Sequence, residues 1–269
     1  MVSNEPAWVP DGVNTELPSS ARVYDYLLGG GHNFEMDRDT AERLETVMPA
    51  RHMARNNRAF LGRAVQFLVE SGIRQFLDLG SGVPTVGNVH EVAQRAAPES
   101  RVVYVDIEPV AVAHSKLWLA GNDRATIIQG DLRDPEHVLT HPDTARLLDF
   151  REPIALLMVA VLQFIPDADD PWAIIRRYRD HLPPGSYFAF SAFTWDGNPE
   201  AMARAVEVFS QTQEPLHPRT GEQIRRFADG FELVEPGLVP TPNWRPSSEV
   251  VDEEGGRQSN LYAGVGRKV

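Results

Sequence analysis

The sequence predicts an α/β fold: one largely parallel sheet with helices on both faces, preceded by an N-terminal helical cap. Three observations predict it. From residue 73 onward short apolar runs alternate with amphipathic stretches, the order that crossovers between parallel strands impose. Phe76-Leu77-Asp78-Leu79-Gly80-Ser81-Gly82 reads as a strand ending in an acid and a glycine-rich turn. Before residue 73 the apolar spacing is helical. With 269 residues, 42% of them hydrophobic, the chain can bury one large domain or one domain with a cap.

Taken in order, residues 1–18 are rich in proline, glycine and polar side chains and read as an extended arm. Residues 19–72 form the cap and 73–269 the sheet domain. Ser19 and Ser20 are N-cap candidates for a short helix through Tyr24, Tyr26, Leu27 and Leu28, which Gly29-Gly30-Gly31 stops. Asp39 with Glu42 resembles a capping box for a second helix ending near Pro49. From Arg51 to Ser71 the residues Met53, Phe60, Leu61, Ala64, Val65 and Leu68 make one buried stripe, with Asn57 as its one polar intruder.

Strands are expected at Gln75 to Leu79, Arg101 to Asp106, Ala125 to Gln129, Ile154 to Val161 and Ser186 to Phe193. Helices should cover Val86 to Ala96, Val110 to Leu119 and Pro171 to His181, the last opened by Asp170 and Pro171. Further helices are expected from Pro199 to Gln211 and after Thr220, where Gln223 completes a capping box. Phe231 to Val239 and Leu261 to Val265 look like a closing antiparallel hairpin. Its long connection, Pro240 to Asn260, is either mobile or functional.

Acidic residues outnumber basic ones 38 to 26, for a formal charge of −12, which disfavours bulk binding to nucleic acid or anionic lipid. There is no cysteine, which excludes disulfides, thiolate metal sites and a cysteine nucleophile. Met1 to Pro18 lacks a basic region followed by an apolar one, and no apolar run approaches a membrane span, so a cytoplasmic location is expected. His90-Glu91 is not a zinc-protease motif, because Gln94 stands where a second histidine is required. His137 and His141 share helical spacing but lack a third ligand, and no metal is expected.

The glycine turn carries the chemistry. Gly80, Ser81 and Gly82 let a ligand approach the backbone, and the helix that follows offers free amides to an anionic group. In a dinucleotide site the third glycine would fall at Thr85, and a carboxylate at Asp78 opposes a pyrophosphate. Asp78 suits a cationic group instead, and S-adenosyl-L-methionine carries an ammonium and a sulfonium beside its carboxylate. Asp106, with Ile107 after it, ends the second strand where a Rossmann-like unit places the acid that bonds ribose hydroxyls; Glu108 competes, and a simple helix cap remains an alternative. Asp131 and Leu132 follow the third strand, placed to meet an adenine amine and ring. Acids at successive strand ends also occur as ordinary helix caps.

Beyond these positions, Ala21-Arg22-Val23-Tyr24-Asp25-Tyr26-Leu27-Leu28-Gly29-Gly30-Gly31-His32-Asn33-Phe34 and Asp37-Arg38 resemble the opening of an actinobacterial family of S-adenosylmethionine-dependent methyltransferases, formerly a domain of unknown function. Asn57-Arg58-Ala59-Phe60-Leu61, Gln75 to Asp78 and Val103 to Asp106 continue the match across nearly the whole chain from residue 20. The resemblance implies a class I methyltransferase, Rossmann-like seven-stranded sheet with the last strand inserted antiparallel. Val83-Pro84-Thr85 agrees with this narrower family. Gln163, in Leu162-Gln163-Phe164, stands where the resemblance would place histidine, and an amide cannot take a proton at neutral pH.

On this reading Val159 and Ala160, at the end of strand four, line the methyl-transfer side. Gln163, Trp195, His217, Trp244 and Arg245 are acceptor-pocket candidates, and ordinary packing is the alternative for the aromatics. The Gly29 to Phe34 loop, with Arg22, Tyr26, Asn33 and Arg58, forms either a lid or a solvated helix end. Strand four lacks the Pro-Pro-aromatic turn of nucleobase and amide methylation, so a small-molecule acceptor is expected. Two other functions are compatible with such a sheet: a nicotinamide-dependent oxidoreductase and a non-catalytic S-adenosylmethionine sensor.

Overall fold

A computed structural model of the chain describes residues 9–10, 13–85, 87–246 and 260–269. Its centre is a sheet whose five parallel strands are β1 (Gln75–Leu79), β2 (Arg101–Asp106), β3 (Ala125–Gln129), β4 (Ala155–Val159) and β5 (Tyr187–Phe193). Their spatial order is β3-β2-β1-β4-β5, so the chain reverses direction across the sheet between β1 and β4. That switch point opens a crevice at the carboxyl ends of both strands.

Alternation along each strand feeds two separate cores. Leu77, Val103, Leu156 and Phe188 point to one face, towards α8 (Pro171–His181), while Phe76, Val102, Ala155 and Ala189 point to the other, towards α3 (Ala50–Glu70). All are fully buried, and each large apolar side chain among them contributes about 1.5–3 kcal/mol. On the second face α4 (Val89–Ala96) and α5 (Pro109–Trp118) complete the layer.

The last strand, β8 (Leu261–Arg267), pairs antiparallel with β5 in the register Tyr187↔Arg267 to Phe193↔Leu261, as the resemblance implies. The predicted hairpin partner is not one strand. It breaks into β6 (Glu232–Leu233) and β7 (Val239–Pro240), both paired to β8, with Gly237 at a positive φ in the turn between them. The seventh sheet position is thus shared by two short segments. Residues 247–259 of the predicted connection, residues 1–8 and 11–12 of the predicted arm, and Val86 lie outside the described residues.

The helices α1 (Ser20–Leu27) and α2 (Glu35–Val47) pack with α9 (Pro199–Phe209) around an apolar cluster of their own. The predicted Asp39–Glu42 capping box lies five residues too late: Asp37 caps α2, its Oδ2 accepting the Phe34 N–H at 2.8 Å. Gly30 is required there, since a Cβ would lie 1.9 Å from Asp25 Oδ1. Two short helices that the sequence reading missed, α6 (Pro135–Thr140) and α7 (Pro142–Leu147), are signalled by proline at their first positions. The small α10 (Gly221–Arg225) opens with the predicted Thr220–Gln223 capping box. No helix among the described residues is long and apolar enough to cross a membrane.

Candidate cofactor and acceptor site

A cavity of about 620 Å³ begins in the crevice at the strand ends and extends beneath α1, α2 and α9. Its inner end is polar. Asp78 is 5% exposed, and no hydrogen bond from a described residue reaches its carboxylate. Burial pushes its pKa up to about 7, against the pull of the Arg58 guanidinium and with a further push from Asp106. Arg58, on α3, also donates to Asn88 Oδ1 at 3.0 Å.

The turn after β1 needs its glycines. Gly80 and Gly82 have φ of +73° and +69°, and a Cβ on Gly80 would stand 2.4 Å from Val161. Asp106 braces this turn: Oδ2 accepts the Gly82 N–H at 2.6 Å and Oδ1 the Glu108 N–H at 2.9 Å. Burial raises the Asp106 pKa to about 6 in spite of these donors. A carboxylate has about four acceptor positions, so capacity remains. Glu108 is committed elsewhere, to Arg22 at 2.9 Å.

At the end of β3, Asp131 is clamped by the Arg133 guanidinium at 2.6 Å and by the Arg133 N–H. Burial opposes its ionisation, but these donors win and hold it below the usual carboxylate range. Arg133 reaches on to Asp169 at 3.0 Å, and Tyr178 Oη donates to the Leu132 carbonyl at 2.9 Å, which fixes the segment. Ile107, 53% exposed overall, lines the cavity beside Asp106.

Strand β4 ends two residues before the predicted Val161, because Ala160 turns to φ +56°. Its N–H donates to Ser191 Oγ at 2.9 Å, Ser191 Oγ donates to Asn57 Oδ1 at 2.7 Å, and Asn57 Nδ2 donates to Tyr24 Oη at 3.0 Å. This chain of bonds runs from the tip of β4 through β5 and α3 to α1. Burial pushes the Tyr24 hydroxyl up, keeping it a donor, and it bonds the Ala54 carbonyl. Gln163 is buried beside Ala160, its amide donating to the Ala160 carbonyl at 2.7 Å, and the Gln163 carbonyl accepts the His217 N–H at 2.7 Å.

The cavity thus brings together Asp78, Gly80, Ser81, Gly82, Asp106, Ile107, Asp131, Leu132, Val159, Ala160, Arg58, Gln163 and His217. Six other candidates lie elsewhere. Trp244 is fully buried, edge-on to Phe60 and Phe67 behind α3, and Arg245 stacks over Phe67 with its centroid 4.1 Å away. Both follow β7 and turn onto α3, where Arg63 bonds the Thr241 and Trp244 carbonyls, rather than into the cavity. Trp195 packs into the cap cluster, Tyr26 bonds Glu42 under Arg51, and Asn33 secures Asp25 and Gly30. Arg22, 1% exposed, is a strut between Asp37 and Glu108, not a mobile lid residue.

Sequence reasoning missed the wall opposite the strands. Leu27, Leu44, Met48, Met53, Phe209 and Leu261 line it, and so does Glu214, which accepts the Ser20 N–H at 2.9 Å. Asn57 carried a signal, as the polar break in the α3 stripe. The apolar lining carried none, since cap residues that face a void and cap residues that fill a core share one periodicity.

Residues 6–269 match the family model described as S-adenosyl methyltransferase. The chain belongs to the S-adenosyl methyltransferase family. This methyltransferase is 42% identical to a protein of Thermobifida fusca assigned as a methyltransferase, covering 98% of this chain and 99% of that one, with a TM-score of 0.91. It is 38% identical to a DUF574 family protein of Streptomyces avermitilis, over 95% and 99% of the two chains, also with a TM-score of 0.91. The N-methyltransferase NodS of Bradyrhizobium japonicum, solved with S-adenosyl-L-homocysteine, is 13% identical over 92% and 98% of the chains, with a TM-score of 0.51, a likeness of fold alone. No curated protein matches the chain.

The actinobacterial resemblance and the α/β class I fold are borne out, and the enzyme is an S-adenosyl-L-methionine-dependent methyltransferase acting on a methyl acceptor. The choice that the glycine turn left between this cofactor and a nicotinamide dinucleotide falls to the former. The residues present fit it: a buried carboxylate that no described residue hydrogen-bonds stands ready for an ammonium, beside a turn that favours glycine at two positions.

Proposed function

We propose that the methionine end of S-adenosyl-L-methionine lies against Asp78 and the Gly80 to Gly82 backbone, the ribose against Asp106, and the adenine between Ile107, Asp131 and Leu132. When bound, the cofactor supplies a methyl group already activated on a sulfonium. The chain's own task is then placement, because holding two reactants in line supplies much of the rate in such a displacement. Val159 and Ala160 face that step, held by the bonds from Ala160 through Ser191 to Asn57. The acceptor is a small molecule, admitted under the cap, and the enzyme works in the cytoplasm. In this reading residues 19–72 form a cap that roofs the acceptor, and 73–269 the catalytic unit.

The observation that carries the assignment is the Asp78 carboxylate, buried, lacking a donor and raised to about 7 at the switch point between β1 and β4. A crystal structure with S-adenosyl-L-homocysteine tests it. The ammonium is expected on Asp78 and the ribose hydroxyls on Asp106; a nucleoside seated elsewhere overturns the assignment.

A further inference from the structure

The far end of the cavity belongs to the cap. Leu27 of α1, Leu44 of α2, Met53 of α3 and Phe209 of α9 are all buried in one apolar cluster, yet each also lines the cavity. Protein interiors pack to the density of organic crystals, and an apolar void costs stability in proportion to its volume. Four helices that converge and leave room therefore form a pocket shaped for a guest. Met48 and Met53 give its walls a side chain that adapts to irregular shapes.

Charge narrows the guest. Among the described residues no lysine lines the cavity, and the two arginines that do are engaged at the polar end, Arg58 beside Asp78 and Asn88, Arg133 on Asp131 and Asp169. An anion under the cap would lose its water without gaining a cation, and such burial is costly. The acid nearest the cap, Glu214, accepts the Ser20 N–H through Oε2, adds negative charge at this end and leaves Oε1 to accept from a neutral donor. Three further polar groups of the lining retain bonding capacity: the buried Ser19 Oγ and Gln163 Oε1, which no described residue bonds, and the His217 ring. The His217 imidazole is half-buried next to Leu216, and no described residue bonds its ring, whereas its backbone is fixed by Gln163 and Arg219.

The geometry points to a neutral, largely apolar small molecule as the methyl acceptor, seated between the cap helices with a hydroxyl on the His217 imidazole. This substrate class rests on the cofactor placement proposed above. His217 acts as a binding and orienting group, and the apolar wall excludes charged analogues.

Calorimetric titration of the protein saturated with S-adenosyl-L-homocysteine tests it, using 2-naphthol as a neutral probe and 2-naphthoate as its anionic counterpart. 2-Naphthol should bind, and 2-naphthoate at least about tenfold more weakly. Leu44→Trp, which fills the pocket, and His217→Ala, which removes the hydroxyl's partner, should each weaken 2-naphthol several-fold while affinity for S-adenosyl-L-homocysteine stays the same. Equal binding of the two probes, no binding of 2-naphthol, or 2-naphthol binding untouched by both variants overturns the proposal while the cofactor placement stands. Failure of the wild type to bind S-adenosyl-L-homocysteine overturns the placement, and the substrate class falls with it.

Discussion

Replacing Asp78 by asparagine should make the ligand-free protein more stable and the cofactor complex weaker. In the free protein burial raises the Asp78 pKa to about 7 from its ordinary value of 3.8. The folded state therefore holds a proton that the unfolded state has released between those values, and stability falls as pH rises through that window. Below pH 3.8 the group costs nothing; above about 7 it costs its full amount. Three pH units correspond to about 4 kcal/mol, a ceiling that water in the cavity lowers. Asp78→Asn should thus raise the urea midpoint at pH 8 and leave it nearly unchanged at pH 4. Binding moves the other way. An ammonium needs the ionised carboxylate, so wild-type affinity for S-adenosyl-L-homocysteine should fall below pH 7, by up to about tenfold per pH unit. The variant should lose that dependence and bind at least about thirtyfold more weakly at pH 8, the effect of removing one partner from a buried charge pair. Equal affinity in the two proteins, or a variant less stable than wild type at pH 8, refutes the reasoning.

Three further outcomes follow from the same geometry. Arg22→Met leaves Asp37 and Glu108 buried without their cation and should destabilise the fold by about 3–5 kcal/mol in chemical denaturation, whereas Arg133→Met, at an exposed pair, should cost under about 1 kcal/mol. Gly80→Ala sets a Cβ 2.4 Å from Val161 at φ +73°, so S-adenosyl-L-homocysteine binding should be lost in calorimetry even where circular dichroism shows a folded protein. Asn57→Leu removes the acceptor of Ser191 and the donor to Tyr24, and should lower the thermal midpoint by the equivalent of about 1–3 kcal/mol; Ser191→Ala in the same background should add little, because the two share one network.

The sheet was legible in the sequence because its signals are local. The β1 pattern, the acids at Asp78, Asp106 and Asp131, and the alternation of β2 with α5 all follow from runs of residues read in isolation, and their partners lie in register within the sheet. What the sequence hid depends on long-range geometry. Trp244 and Arg245 carry residue types suited to a pocket, but their segment runs behind α3, where Trp244 meets Phe60 and Phe67. Arg22 has the look of a lid cation until Asp37 and Glu108, 15 and 86 residues away in sequence, close on it. The positive φ of Ala160 gave no sign in the sequence, because the partner of its N–H, Ser191, lies on a neighbouring strand 31 residues away.

These long-range bonds have a common direction. Arg22 joins the cap to Glu108, two residues from Asp106, the acid proposed for the ribose, and Asn57 joins it to Ser191 and so to Ala160 at the proposed methyl-transfer side. The glycine turn is tied in as well, since Val83 packs with Val110, Ala21 and Phe34. The cap is therefore fastened at the ribose edge, at the turn and at the tip of β4, while its apolar face stays open to the cavity. A roof held only by apolar contacts could slide over the sheet, and the distance from acceptor to methyl group would vary with it. Directional bonds at two of these points, the ribose edge and the tip of β4, restrain that distance, and an error of about 1 Å in such a reaction costs on the order of a hundredfold in rate. The buried polar groups of the cap, which add little net stability, are thus explained by the alignment they impose.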